Sequence, residues 1–309
     1  MRVGRLLGGL VVLGLIGLGV FWVVTTPSVI EASTLKADYK PDLANGETMF
    51  TIGGCVSCHK TPKQPERLKL GGGLGLASPF GTFYAPNISS DPTNGIGAWS
   101  ELEFVNALMR GVGRHGEHLF PALPYTSYQR MKLEDVRDLW AYIKTVPPVT
   151  EPSKQHGINF PFNIRRSLGG WKLLFVDRKP FVPDPSKSAQ WNRGAYLVEG
   201  PGHCSECHSP RNLLGGIKSG ERYAGGMDPE GKGWVPNITP HADGIGDWKE
   251  SEIAEFLSTG FTPSTDAAGG SMAEVIENTS RLTDADRAAM ANYLVSLPPL
   301  PGKSPAKKP

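Results

Sequence analysis

Cysteine is scarce in this 309-residue chain: there are four, and none stands outside a motif. They fall as Cys55-Val56-Ser57-Cys58-His59 and Cys204-Ser205-Glu206-Cys207-His208. An excess of charge is missing too, since 32 Lys and Arg face 30 Asp and Glu for a formal net charge of +2. No large basic patch is visible, which argues against nucleic acid as a partner. No nucleophile–base pair and no nucleotide-binding loop is legible. Neither half sustains two-residue alternation of apolar and polar side chains, so no sheet is expected and the fold class reads as all-α. The 38 Gly and 27 Pro make up about a fifth of the chain and predict short elements joined by long loops.

One long apolar run is present, at the N-terminus. After the basic head Met1-Arg2-Val3-Gly4-Arg5, the stretch from Leu6 to Val24 carries no charge. A helix of that length approaches the ~30 Å hydrocarbon core of a bilayer. Arg2 and Arg5 hold the head on the cytoplasmic side and send the rest outward. The rival is a cleaved signal peptide, whose apolar region is usually only ~7–15 residues long and ends at an A-x-A-like site. Here the run is longer, and at the best nearby site, ending at Ala32, Ile30 stands where a small residue is wanted. An uncleaved anchor is the favoured reading, and either one exports both cysteine pairs.

The second half repeats the first at an offset of about 150 residues. Gly46 to Cys55 resembles Gly194 to Cys204, and Pro86-Asn87-Ile88-Ser89 returns as Pro236-Asn237-Ile238-Thr239. Gly95-Ile96-Gly97-Ala98-Trp99 returns as Gly244-Ile245-Gly246-Asp247-Trp248. A period this long suits two globular copies. In each, one helix leads into the cysteine motif. A second opens in the first copy with the capping box Ser100-x-x-Glu103 and stops at Gly111, and its counterpart runs from about Glu250 to Thr259 and stops at Gly260. A last helix spans about Leu133 to Thr145, and Thr283-x-x-Asp286 opens its partner. The expected organisation is an anchor or signal peptide over 1–32, domains over 33–150 and 189–300, a packed linker over 151–188, and a disordered Lys/Pro tail over 301–309.

A C-x-x-C-H run reads as attachment of haem c. Two thiols on one helical turn can form thioethers to the two vinyl groups of one porphyrin, and the next residue turns its imidazole to the iron. Thus Cys55, Cys58 and Cys204, Cys207 are the attachment residues, with His59 and His208 as proximal ligands. A zinc ribbon needs its two C-x-x-C pairs about 15–20 residues apart, and a thioredoxin-like motif belongs on a βαβ pattern without needing the histidine. Two structural disulfides would leave the paired histidines unexplained.

Met opposite His closes many such irons. In the second copy Met272, in the loop Gly269-Gly270-Ser271-Met272-Ala273-Glu274, is the expected sixth ligand, with Met227 as rival and Met290 as core. In the first copy Leu123 falls near the matching place and cannot bind iron. Met131 is the nearest thioether, with His115 and His118 or an open iron as alternatives, and Met131 also aligns near Leu282 as a packing residue. Asn87 and Asn237 are turn formers or order loops near the haem. Arg211 reads as a partner for a haem propionate or as a solvated loop residue.

With these motifs in place the chain resembles the membrane-bound dihaem and multihaem c-type cytochromes that serve as subunits of alcohol, aldehyde and gluconate-type dehydrogenases. The likeness rests on the two C-x-x-C-H runs, Ala85-Pro86-Asn87-Ile88, the stretch from His118 to Tyr125, His208-Ser209-Pro210-Arg211-Asn212, and Gly270-Ser271-Met272-Ala273-Glu274-Val275. It implies tandem class I cytochrome c folds after the transmembrane helix, a periplasmic position, two haems c, and Met272 on the second iron. Several such subunits carry Met where this chain has Leu123, and others keep one where Met131 stands. The implied role is electron transfer from a periplasmic or membrane dehydrogenase, or a quinol-linked complex, toward a terminal oxidase or soluble cytochrome. The alternative is a dihaem enzyme of peroxidase or thiosulfate dehydrogenase type that works through an open first iron.

Overall fold

A computed structural model describes residues 2–231 and 233–302. The expected disordered tail lies, from residue 303 on, outside the described residues. Helix α1 (Arg2–Val24) projects from the body. Over Leu6–Val24 none of its residues is buried and its mean hydropathy is 2.5, so by length and composition it can cross a bilayer.

Each half is a small helical unit. In the first, α2 (Leu43–Ile52) runs into α3 (Cys55–His59), followed by α4 (Glu101–Arg110), α5 (Tyr125–Tyr128) and α6 (Leu133–Ile143). Between the halves lies α7 (Ser167–Phe175). In the second, α8 (Ala189–Glu199) runs into α9 (Ser205–His208), followed by α10 (Glu250–Thr259), α11 (Ser271–Thr279) and α12 (Asp284–Leu294). The ends are set by local chemistry. The Asp42 carboxylate accepts from the amides of Ala44 and Asn45, and the Ser188 hydroxyl accepts from that of Trp191. Ser100 and Glu103 close a capping box on α4, and Gly111 and Gly260 stop α4 and α10 in left-handed conformation.

The same crossing organises both cores. Helix α2 lies across α6, and α8 across α12. At the first crossing a Cβ on Gly46 would stand 2.2 Å from the carbonyl oxygen of Asp138; at the second, one on Gly194 would stand 1.8 Å from that of Ala289. Only glycine lets these backbones approach so closely. Around them Met49, Phe50, Val105, Val136 and Ile143 join Leu197, Val198, Ile253 and Met290 in one continuous apolar cluster that runs through both halves.

The expectation of no sheet is corrected. Strands β1 (Gly75–Ser78) and β2 (Gly81–Tyr84) form an antiparallel hairpin, and β2 also pairs with β3 (Gly157–Ile158). In the second half β4 (Gly226–Met227) pairs with β5 (Trp234–Val235). Strands of two to four residues are too short to show alternation, and the β2–β3 pairing joins segments far apart in sequence. The fold stays helical with small sheets.

The connecting segment bonds to both halves. Besides β3, it places Asp177 against Gln129 and Arg130, and the Trp171 indole donates to the Leu214 carbonyl at 2.8 Å. The buried Lys172 ammonium donates to the carbonyls of Arg110 and Gly111, capping the C-terminus of α4. Burial, with Arg178 nearby, pulls the Lys172 pKa down to about 7.

Two outcomes follow from this packing. Gly46→Ala and Gly194→Ala will each destabilise the protein by about 1–3 kcal/mol in denaturant unfolding, as overpacking does, while Gly220→Ala, whose Cβ meets nothing within 4 Å, will be neutral. Lys172 releases its proton earlier in the folded chain than in the unfolded one, so the unfolded chain holds more protons from pH about 7 up to the ordinary lysine range. Stability from this group therefore rises with pH across that window, and melting curves of Lys172→Met will lack that part of the slope.

Candidate redox centres

The two cysteine turns are built alike. Cys55 and Cys58 lie on α3, Cys204 is the N-cap of α9 and Cys207 lies within it; all four thiols are free. Burial, with Cys58 beside it, pushes the Cys55 thiol up to about 12; burial, with Cys207, does the same to Cys204. Burial also raises Cys58, and burial with Glu206 takes Cys207 to about 11. Redox-active and metal-binding cysteines show the opposite shift. Among the described residues no group of three or more His, Cys, Asp or Glu could hold a bare metal ion.

The histidines are oriented by a shared device. His59 Nδ1 lies 2.7 Å from the Pro86 carbonyl oxygen, and His208 Nδ1 lies 2.8 Å from that of Pro236. A carbonyl only accepts, so each Nδ1 carries the proton and each Nε2 keeps its lone pair free. Burial lowers both imidazole pKa values against the opposing effect of that hydrogen bond, which holds the rings neutral. This is the second-sphere arrangement of a metal-bound histidine.

The proline carbonyls are themselves fixed. Buried Asn87 donates to the carbonyls of Val149 and Glu151 and accepts from the Ser89 amide; buried Asn237 donates to that of Leu300 and accepts from the Thr239 amide. Both readings offered for these asparagines hold: the bond from the amide two residues on makes an Asx turn, and each side chain ties its Pro-Asn-Ile segment to the chain beyond the last helix. From the other side, the Gly72 amide donates to the His59 carbonyl and the Gly225 amide to that of His208, at 2.8 Å in both. Both glycines have positive φ, and a Cβ on Gly72 would lie 2.4 Å from two carbonyl oxygens. Sequence reasoning missed this pair; its signal was a run of glycines in each half, Gly71-Gly72-Gly73 and Gly225-Gly226.

The two turns also meet. Ser57, the third residue of the first motif, accepts from Asn278 of α11 at 2.8 Å; Asn278 also accepts from Arg67. Glu206, the third residue of the second motif, accepts from Thr126 and Ser127 of α5. Ser127 and Asn278 hold matching places in the repeat, so the halves join about a pseudo-two-fold axis. Near it the His203 ring stands 5.6 Å from that of Tyr128, whose hydroxyl donates to the Gly53 carbonyl. The symmetry breaks in charge, because Ser57 is neutral and Glu206 is an acid. Arg211 donates to Glu206 at 2.7 Å and to its backbone carbonyl, so it is not the solvated loop residue of one reading. Burial pushes the Glu206 carboxyl up, but Arg211 and the two hydroxyls outweigh it and hold the group below its ordinary range.

The expected sixth ligands sit differently from one another. Met272 is half-buried and stands second in α11, so the expected loop around it is a helical turn. Met131 is 2% exposed in the core just before α6, the register that buried Leu282 fills before α12. Leu123 is partly buried against the same core. Met227 is 63% exposed and Met290 is core. His115 is exposed, and His118 Nε2 is spent on the Thr25 carbonyl at 2.8 Å. Two free thiols on one turn beside a neutral imidazole with an open Nε2, present twice, fit covalently held haem.

Comparison with known proteins agrees with this fit. The family model described as cytochrome c matches residues 43–147 and 192–298. A diheme cytochrome c-type protein of Cereibacter sphaeroides is 44% identical over 295 residues, covering 95% of this chain and 98% of that protein. The fructose dehydrogenase cytochrome subunit of Gluconobacter japonicus is 40% identical over 269 residues, covering 86% of this chain and 54% of that one. The gluconate 2-dehydrogenase cytochrome c subunit of Pantoea cypripedii is 38% identical over 263 residues, covering 82% and 58%. The chain thus spans nearly all of the first relative and a little over half of the other two.

Removing one partner of a largely buried ion pair leaves the other charge stranded, at about 3–5 kcal/mol. Glu206→Ala strands Arg211 and cuts the ties to α5. Calorimetry of that variant will show the half holding α8 to α12 melting earlier, as a separate transition from the first half.

Proposed function

The chain belongs to the cytochrome c family, and from that premise we propose that it is a two-haem electron carrier serving a periplasmic or membrane dehydrogenase. Cys55 and Cys58 hold one haem with His59 on its iron; Cys204 and Cys207 hold the other with His208. When bound, each supplies a one-electron couple whose potential the axial ligand and surroundings set. The observation that carries the reading is the twice-built turn, with each Nδ1 tied to a proline carbonyl and each Nε2 free. The chain's own residues orient the imidazoles, bury that of His208 from water and join the two turns into one body. The likeness to cytochrome subunits of fructose and gluconate dehydrogenases supports a dehydrogenase as donor. A terminal oxidase or soluble cytochrome is the proposed acceptor. Helix α1 anchors the chain in the inner membrane, with both haem-bearing halves in the periplasm.

The test is electron traffic. Oxidised protein mixed with the dehydrogenase will become reduced when the dehydrogenase's substrate is added, and will be reoxidised by a c-type acceptor. Unaided turnover of peroxide or thiosulfate by the chain would contradict the proposal.

Met272 is proposed on the second iron and Met131 on the first. The second reading, a dihaem enzyme with an open first iron, is favoured by Leu123 and by the core position of Met131. Met131→Leu separates them. If Met131 is the ligand, half of the methionine-type absorption is lost and the reduced variant binds carbon monoxide at one haem. If it only packs the core, spectrum and carbon monoxide binding match those of the parent.

A further inference from the structure

Helix α7 lies against the C-terminal end of α1. A Cβ on Gly169 would stand 2.6 Å from Thr25, and one on Gly170 3.5 Å from the Phe21 ring. The Arg166 guanidinium sits 4.2 Å from the centroid of the Trp22 ring and donates to the Trp22 carbonyl. Residues three and four positions apart share a helix face. Leu173 and Leu174 therefore continue the face that Gly169 and Gly170 turn to α1, yet they are 53% and 69% exposed. Leu213 and Leu214, at 98% and 53% exposure, extend this apolar surface from the loop that receives the Trp171 indole. A water-facing side gains nothing from four bare leucines beside the end of a hydrophobic span.

Cations gather at the same level. Arg110, Lys172 and Arg178 line a small cavity with Val24 and Ser28, and Arg166 stands next to it. Among the described residues none of these four pairs with a carboxylate. The nearby Asp177 is taken by Arg130 and Gln129. Among the described residues the buried Nε atoms of Arg110 and Arg166 have no hydrogen-bond partner. An aromatic at the end of an apolar helix, an apolar ridge beside it and uncompensated cations behind form the pattern of an interfacial membrane contact.

We propose that α7 and the Leu213–Leu214 loop dock on the outer surface of the membrane that holds α1, with the leucines in the acyl boundary and Arg110, Arg166 and Arg178 on the phosphates of anionic phospholipids. This rests on α1 remaining in the bilayer. Docking then fixes the haem-bearing body against the membrane and leaves it no free swing on its tether.

Spin labels on the full, haem-loaded chain test this in vesicles of phosphatidylethanolamine and phosphatidylglycerol. Labels go on Leu174→Cys, on Leu15→Cys within α1, and on Phe261→Cys, an exposed residue of the second half. Labels at 15 and 174 should be relaxed by lipid-soluble oxygen and shielded from a water-soluble nickel complex, and the label at 261 should behave the opposite way. Adding Arg178→Glu, or moving to phosphatidylcholine vesicles, should shift the label at 174 severalfold toward nickel accessibility and leave that at 15 unmoved. If 174 reads as water while 15 reads as lipid, docking fails and the anchor stands. If 15 reads as water, the anchor itself fails. Shielding of 174 only after a dehydrogenase is added would make the ridge a protein interface and overturn the proposal, and insensitivity to both charge changes would overturn the phosphate contact.

Discussion

Two hydrogen bonds, from the His59 and His208 imidazoles to the carbonyls of Pro86 and Pro236, are what the rest of this fold serves. An imidazole presented to iron needs a fixed tautomer and a fixed ring plane, and one carbonyl supplies both. The carbonyl must then be held still, and the chain does so from two directions. Asn87 and Asn237 clamp the Pro-Asn-Ile segments to the chain beyond the last helix, while Gly72 and Gly225 let the backbone come close enough to bond the histidine carbonyls. The last helix is set by its crossing with the first, where Gly46 and Gly194 remove the side chain that would hold the backbones apart.

Doubling this unit gave more than two copies on a string. The third residue of each motif reaches the short helix of the opposite half, Ser57 to Asn278 and Glu206 to Ser127, so the two cysteine turns face each other across the interface. The pairing is symmetric in place and asymmetric in charge. One turn carries a hydroxyl, and the other carries a buried carboxylate neutralised by Arg211. A neutralised pair can be kept in a dry interface where a lone carboxylate could not. The same asymmetry gives the two centres different electrostatic surroundings, although their turns are built alike.

The parts of this architecture legible in sequence are local ones. The C-x-x-C-H runs, the Ser100–Glu103 box and the glycine stops at 111 and 260 each depend on residues within one or two turns, and the long repeat made every reading in one half a check on the other. What escaped depends on distant partners. Nothing near Ser57 announces Asn278, and nothing near Glu206 announces Thr126 and Ser127 of the other half. The β2–β3 pairing needs a strand from beyond the first repeat. The Gly269-Gly270 doublet read as a loop because two glycines break most helices; here Gly270 is the N-cap and Met272 already lies in the first turn of α11. Lys172 gave no sign of its role, because a capping ammonium is recognised only by the carbonyls it meets.

The central claim is that each cysteine turn holds an iron porphyrin through both sulfurs with the adjacent imidazole on the metal. The mass of the mature protein tests it most directly, taken alongside variants in which the Cys55–Cys58 or the Cys204–Cys207 pair is replaced by serine. The account predicts the polypeptide plus two haems for the parent and one haem fewer for either variant, all surviving denaturation. A colourless protein weighing no more than its polypeptide would contradict it.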